Sequence, residues 1–297
     1  MDTDAVAKLR KAGRVSREAR DLAVEITREG VLLLDVAEEV ESLMRRRGLQ
    51  PAFPTCISLD QVAAHYSPTH DDVLRFQRGN VVKLDLGAQL DGWIADTAVT
   101  VEIGTRNWTE LIRSSELALQ TAIEAVRNGV DTGFLGAGIQ RAIESHGYKP
   151  IRNLTGHTIE RYLLHAGKSV PNVPHGHDSL RAGEVVAIEP FASSGAGYVD
   201  GRRSGNIYRI LSTAPLRDPE LNDFLGRLVS SFRTLPFAER WAFRLDARAP
   251  SLLNRLVRFR AVMTYPALLD AGGGTVAQTE HTMIVGRDGT EVTTANV

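Results

Sequence analysis

The stretch Val81-Val82-Lys83-Leu84-Asp85-Leu86-Gly87-Ala88-Gln89-Leu90, then Asp91-Gly92, then Trp93-Ile94-Ala95-Asp96-Thr97-Ala98-Val99-Thr100-Val101, decides the fold. Asp-Gly between two β-rich runs predicts a two-residue hairpin turn, because both turn positions need the left-handed backbone that these residues tolerate. With Asp91-Gly92 as the turn, Leu90 faces Trp93 and Asp85 faces Ala98. Asp96 is then the diagonal neighbour of Asp85 on the same face, roughly 7–8 Å away by Cα, and the side-chain tips can converge. Two carboxylates sharing a buried sheet face repel each other unless something positive sits between them. A divalent metal is the simplest such partner, so the hairpin is a candidate metal site.

Composition narrows the setting. A chain of 297 residues, 43% of them hydrophobic, is long enough for one large domain or two smaller ones. The net charge of -1 provides no global field toward DNA, RNA or an anionic membrane. A single cysteine, Cys56, excludes an intramolecular disulfide framework and fits a reducing compartment. The acidic start, Met1-Asp2-Thr3-Asp4, does not read as a signal peptide, and no apolar run is long enough for a membrane helix. The expectation is a soluble cytoplasmic protein.

Working outward from the hairpin, residues 4–48 read as two amphipathic helices, broken at Gly30 and stopped at Gly48. Residues 51–70 read as loop and short strand. Residues 107–128 and 132–147 read as two further helices, with Asn107 as N-cap and Gly129 and Gly147 as stops. Strand and loop follow over 150–178, and an apolar strand over 184–191 ends at Glu189-Pro190. Gly79-Asn80-Val81-Val82-Lys83-Leu84-Asp85 is echoed by Gly183-Glu184-Val185-Val186-Ala187-Ile188-Glu189. Either two buried strands are alike by chance, or an α/β unit is duplicated and each copy delivers a carboxylate at the same place. Between 209 and 262 the pattern turns helical (Pro219–Arg233, Pro236–Asp246, Pro250–Ala261), and ten arginines stand against five acids. This stretch predicts an inserted helical subdomain. Its basic face is either a solvated surface or a weak contact with ribosomal RNA. Strand-like sequence returns at Ala277–Val285 and Thr290–Thr294.

Three more candidate ligands accompany the two aspartates: His157 in Asn153-Leu154-Thr155-Gly156-His157, Glu189 at its strand end, and Glu280 in Gln278-Thr279-Glu280-His281-Thr282. A carboxylate at the mouth of an apolar strand is costly without a partner. Together the five suit two oxygen-preferring divalent ions in a hydrolase.

These residues carry a resemblance. Ala52-Phe53-Pro54 through Ala63-Ala64-His65-Tyr66-Ser67-Pro68, the Lys83–Val101 hairpin, Asn153–His157 through His165-Ala166-Gly167, Ala187-Ile188-Glu189-Pro190-Phe191 and Gln278–Thr282 occur in the order found in type 2 methionine aminopeptidases of the compact archaeal kind. The chain closely resembles that family over nearly its whole length. The resemblance implies an α+β pita-bread fold with pseudo-twofold duplicated halves. It divides the chain into a catalytic domain, 1–208 and 263–297, and an inserted, winged-helix-like helical subdomain, 209–262.

For the site, the resemblance implies two divalent ions (Co, Mn, Fe or Zn). Asp85 would chelate one, Asp96 and Glu280 would bridge the pair, and His157 and Glu189 would complete the second site. Glu189 would also shuttle the proton, and His65 and His165 would hydrogen-bond the scissile amide and stabilise the oxyanion. Phe53, Phe191, Ile207 and Tyr265 would line the methionine pocket, with Cys56 at its rim, where a thiol could be alkylated or oxidised. The remaining histidines, His70, His146, His175, His177 and His281, read as core or surface groups. The implied activity is a hydrolase, removal of the initiator methionine from nascent N-termini with a small second residue, by a monomer. Proline-directed relatives carry an extra domain before the metal hairpin, and non-catalytic RNA-binding relatives lose ligands, whereas all five are present here. A two-metal phosphoesterase is the remaining alternative.

Overall fold

The computed structural model describes residues 1–295, the side chain at 202 apart. The chain opens with α1 (Thr3–Ile26) and α2 (Leu33–Arg46), and short strands β1 (Gln50–Pro51), β2 (Cys56–Leu59) and β3 (Val62–Ala64) lead to the hairpin, β4 (Val81–Leu90) and β5 (Trp93–Glu102). Two helices then precede strands a second time: α3 (Thr109–Ala125), α4 (Thr132–Glu144), β6 (Lys149–Pro150), β7 (Thr155–Ile159), β8 (Ser169–Pro171), β9 (Val185–Ile188) and β10 (Phe191–Ser193). After β11 (Val199–Ile210) come α5 (Pro219–Phe232), β12 (Phe237–Ala238), α6 (Glu239–Leu245) and α7 (Ala249–Arg258). Strands β13 (Val262–Asp270), β14 (Val276–Gln278), β15 (Glu280–Val285) and β16 (Thr290–Val292) close the chain.

The main sheet runs β1-β4-β5-β15-β9-β7-β8, with β2 beside β4 and β16 beside β15. A pseudo-twofold between β5 and β15 exchanges β4 with β9, the two strands of the sequence echo. The helices follow the same symmetry. Ala12, Ala19, Val36 and Val40 of α1 and α2 pack on Leu84 and Leu86, while Leu111, Ala118 and Ile139 of α3 and α4 pack on Val186, Ile188 and Met283. Strand alternation sends the intervening residues to the other face of the sheet. Helices thus cover one face, and the acids stand on the opposite one. This is the pita-bread arrangement.

Local chemistry sets the helix starts. Asp2 accepts from the Ala5 amide at 2.8 Å and caps α1, Asp131 accepts from Phe134 at 3.0 Å and caps α4, and Asp218 caps α5, which begins with a proline. Helix α3 departs from expectation. It starts at Thr109, and the Glu102 carboxylate takes the amides of Asn107 and Trp108 at 2.8 and 2.9 Å. An acid arriving from the end of β5 displaces the predicted cap at Asn107.

Strands β11 and β13 pair antiparallel and bracket α5, α6 and α7. Those helices share their own core: Leu221, Phe224, Trp241, Leu253 and Leu256 close around Tyr208 and Phe237. The helix predicted over Pro236–Asp246 is shorter, because Phe237-Ala238 instead pairs with Ile207-Tyr208. Strand β11 was hidden by its Gly-, Arg- and Ser-rich composition, and its register shifts twice. Among the described residues, no helix is long and apolar enough to cross a membrane.

Candidate active site

The register alone gathers the five candidate ligands. Asp85 pairs with Ala98, as the Asp-Gly turn predicts, and Ala98 pairs with Glu280 across β5 and β15. Directly opposed residues share a face, so Asp85 and Glu280 flank Ala98, and Asp96 lies two residues before it on that face. His157 pairs with Ala187, two residues before Glu189, and joins the same face. The turn itself holds φ of 53° at Asp91 and 86° at Gly92, the left-handed pair that the geometry requires.

The side chains converge. Asp96, His157 and Glu280 each place a ligand atom within 4.8 Å of the others. Nε2 of His157 lies 3.9 Å from Asp96 Oδ2 and 3.7 Å from Glu189 Oε1. Burial pushes Asp85 up to about 7. Burial first, then the neighbouring carboxylates, hold Asp96, Glu189 and Glu280 well above the usual carboxylate range. Burial, helped by His165, lowers His157 to about 3, so its imidazole is neutral with a free lone pair. Asp96 Oδ1, Glu280 Oε1 and His157 Nδ1 are buried without a hydrogen-bond partner. The orphaned carboxylate oxygens of Asp96 and Glu280, gathered with Asp85, Glu189 and Nε2 of His157, fit hard or borderline divalent cations. Thr282 fixes Asp96 from behind, its hydroxyl accepting from the Asp96 amide at 2.7 Å and donating to the Asp96 carbonyl at 2.8 Å.

Two cavities meet at this cluster. One, of about 50 Å³, is closed by Phe53, Pro54, Cys56, Leu164, Ile207, Pro236 and Tyr265, with the four acids and His157 as its floor. The other, of about 380 Å³, is lined by Asn153, Leu154, Thr155, Lys168, Ser169 and Phe191 and reaches Asp85, His157 and Glu189 from the other side. His65 and His165 line both. Burial lowers each of these two histidines to about 4, so both are neutral. The His165 ring stands 4.4 Å from that of His157, edge to face, and His65 contacts Tyr265 in the same manner at 5.5 Å. His65 sits at φ 66°, a left-handed conformation rare for a residue with Cβ and found where a site imposes it.

A profile of metallopeptidase family M24 matches residues 7–285. The methionine aminopeptidase of Methanocaldococcus jannaschii is 42% identical over 295 residues, covering 99% of this chain and 100% of that one. That of Pyrococcus horikoshii is 43% identical over 301 residues, covering 99% and 100%. The chain belongs to metallopeptidase family M24. Within M24 it groups with the type 2 methionine aminopeptidases. Among solved structures, a thermophilic Arx1 superposes with a TM-score of 0.87 at 18% identity, covering 100% of this chain and 92% of that one. At that identity the likeness concerns the fold alone.

Within this M24 frame, the structure brings Asp85, Asp96, His157, Glu189 and Glu280 together, and places His65 and His165 beside them. Of the four pocket residues read from the sequence, Phe53, Ile207 and Tyr265 line the small cavity. Phe191 does not: it lies beneath the larger cavity, because β10 turns away from β9 to pair with β14. Cys56 is not at a rim. It pairs with Asp85 across β2 and β4, is 3% exposed, and donates to the Pro54 carbonyl at 3.4 Å. Burial, then the acids beside it, push its thiol well above its ordinary range, so it is an unreactive part of the cavity floor. His281 points to the opposite face and meets Thr294 at 2.8 Å. His70 meets Glu239 at 2.8 Å and stacks on Phe243, and His146 meets Glu110 at 3.3 Å, so both are half-buried groups outside the site.

Sequence reasoning passed over Leu164 and Pro236, which close the small cavity. It also passed over Gln278, whose amide nitrogen lies 3.2 Å from Glu189, 3.4 Å from Asp85 and 3.5 Å from Glu280. The available signal was the position of Gln278 two residues before Glu280, across the break between β14 and β15. Leu164 and Pro236 carried none, since apolar wall residues look like core.

Proposed function

We propose that this protein removes the N-terminal methionine from proteins whose second residue is small, by metal-assisted hydrolysis of the first peptide bond. The observation that carries the reading is a ring of five ligand-type side chains at the floor of a small apolar cavity, flanked by two neutral histidines. Asp85, Asp96, His157, Glu189 and Glu280 would hold two divalent ions drawn from Co, Mn, Fe or Zn. Bound there, such ions would supply an activated water and polarise the scissile carbonyl.

The protein's own groups do the rest. Glu189 touches both cavities and has a raised proton affinity, which suits a group that accepts a proton from water and hands it to the leaving amine. His65 and His165, neutral donors at the junction of the cavities, would hydrogen-bond the scissile amide and the developing oxyanion. The small cavity has apolar walls, and thioether contacts with Phe53 and Tyr265 would favour methionine by about 0.3–1.5 kcal/mol each. The rest of the peptide would lie in the larger cavity, over Phe191.

Residues 1–208 and 263–297 would form the catalytic domain, with 209–262 as the insert. Five of the ten arginines, Arg227, Arg240, Arg244, Arg248 and Arg255, are paired to acids within the protein, so a ribosome contact would draw on the other five and would be weak. The protein would act as a cytoplasmic monomer on nascent N-termini. A peptide panel tests the activity. Met-Ala-Ser should release methionine, whereas Met-Leu-Ser, Ala-Pro and a phosphate monoester should not react. Turnover of Ala-Pro or of the ester in preference to Met-Ala-Ser would overturn the assignment.

A further inference from the structure

A buried ion pair outside the site holds three of the segments that wall the small cavity. Glu41 of α2 and Arg240 of α6 are 0% and 1% exposed and bond directly. They come from opposite ends of the sequence, one from the first helix pair and one from the insert. Glu41 Oε1 also accepts from the Thr55 amide at 3.1 Å, and Oε2 accepts from the Trp241 indole at 2.6 Å. Arg240 donates to Ser67 Oγ at 2.7 Å and to the Pro68 carbonyl at 3.1 Å. Ser67 Oγ in turn donates to the Thr55 carbonyl at 2.8 Å. Thr55 is therefore gripped at both ends of its backbone by one charge pair.

The consequences reach the cavity. Thr55 lies between Pro54 and Cys56, both of which line it. Ser67 lies two residues after His65, and its own backbone is tied to Gly205 and Asn206 of β11 at 3.0 and 3.1 Å. Arg240 and Trp241 lie in the first turn of α6, a few residues after Pro236, which closes the cavity from the insert side. A buried charge pair is a poor device for stability, because desolvation offsets most of its attraction. Its directional bonds do, however, fix the relative position of the groups it joins.

We propose that Glu41 and Arg240 are positioning residues that set the width of the side-chain cavity and the seat of His65, and so the preference for the first residue of the substrate. This rests on the methionine reading above. Two variants test it. Glu41→Leu/Arg240→Met removes both charges together, which avoids leaving one buried and unpaired. Arg240→Lys keeps the charge and loses the forked bonds to Ser67 and Pro68. Both are compared with the parent for metal content, for KM and kcat on Met-Ala-Ser, and for preference over the leucine and norleucine analogues.

Metal content should match the parent, while KM rises about tenfold in the double variant and severalfold in Arg240→Lys, the preference for methionine narrows, and kcat falls wherever His65 has moved. Parental KM and preference in Arg240→Lys and in a folded double variant would overturn the proposal, even if thermal stability fell. If the double variant does not fold, Arg240→Lys decides alone. Crystal structures of the variants give a readout independent of substrate: shifted Pro54 and His65 backbones support the proposal, and unmoved ones overturn it. A parent that leaves Met-Ala-Ser intact contradicts the methionine reading instead, and the structural comparison still decides the clamp.

Discussion

His165 and Cys56 show how neighbours on one cavity wall are given different chemistry by their surroundings. His165 is held neutral by burial, at about 4, so at physiological pH it can donate a hydrogen bond without adding a positive charge beside the cations. Replacing it with alanine should lower kcat by about 10²–10³-fold, the cost of one oxyanion donor, with metal content unchanged by elemental analysis. Loss of metal in His165→Ala would instead make it part of the ligand set. Cys56 is equally close but inert. Iodoacetamide should leave it unlabelled in the folded protein and label it fully in denaturant, as followed by intact mass. Rapid labelling of the native protein would contradict its place on the cavity floor.

The acidic candidate ligands were legible because a buried carboxylate, whether inside a strand like Asp85 and Asp96 or at a strand end like Glu189 and Glu280, has no cheap structural excuse. The wall residues Leu164 and Pro236 were not, because an apolar side chain facing a cavity and one facing a core look alike in sequence. Phe191 adjoins a ligand in sequence, but adjacency on a chain leaving a strand end does not decide which side of the cluster it faces.

At the scale of elements, the Asp-Gly hairpin was legible down to its register, since a two-residue turn leaves one pairing for every residue on either side. The faint repeat was legible as similarity but not as geometry. Only the strand order, with β4 and β9 exchanged about the centre of the sheet, shows why each copy delivers an acid. Strand β11 was invisible because its bulges and glycines serve close packing rather than β propensity. Gly205 is the clearest instance. A Cβ there would come within 1.9 Å of the His65 carbonyl and 2.8 Å of that of Tyr265. Gly205→Ala should therefore cost about 1–3 kcal/mol in denaturant unfolding and should displace His65, with a matching loss of activity. Gly226, exposed on α5 with no atom near its missing Cβ, is the control: Gly226→Ala should stabilise by about 0.5–1 kcal/mol. Equal effects at the two positions would contradict the packing account.

The whole molecule brings two helix-backed half-sheets together so that their acids meet at the pseudo-twofold. The architecture was legible once the two carboxylate-bearing strands were seen as equivalents. The joining of the insert to the first helix pair was not, because Glu41 and Arg240 are far apart in sequence and neither belongs to a motif. Gathering four acids in one buried place has a measurable consequence for the complete protein. Asp85, at about 7, is partly protonated at neutral pH, and burial shifts the other three acids in the same direction, so metal ions must expel protons held in the cluster. Metal-stripped protein therefore binds more protons than the loaded form, so loading releases protons and affinity increases with pH, by about tenfold per unit for each proton released. Calorimetric titration at pH 7 in buffers of different ionisation enthalpy should show this release. Proton uptake, or none, would contradict the arrangement of the acids.

The most direct test of the central claim joins metal, residue and reaction in one titration. Chelated protein is returned stepwise to Mn, Co, Fe or Zn while methionine release from Met-Ala-Ser is followed, for the parent and for Asp96→Ala. The parent should be inactive when stripped and regain full turnover by two ions per chain, and Asp96→Ala should bind fewer ions and stay at least about 10³-fold slower. A parent fully active without metal, or an Asp96→Ala protein with parental turnover, would contradict the account.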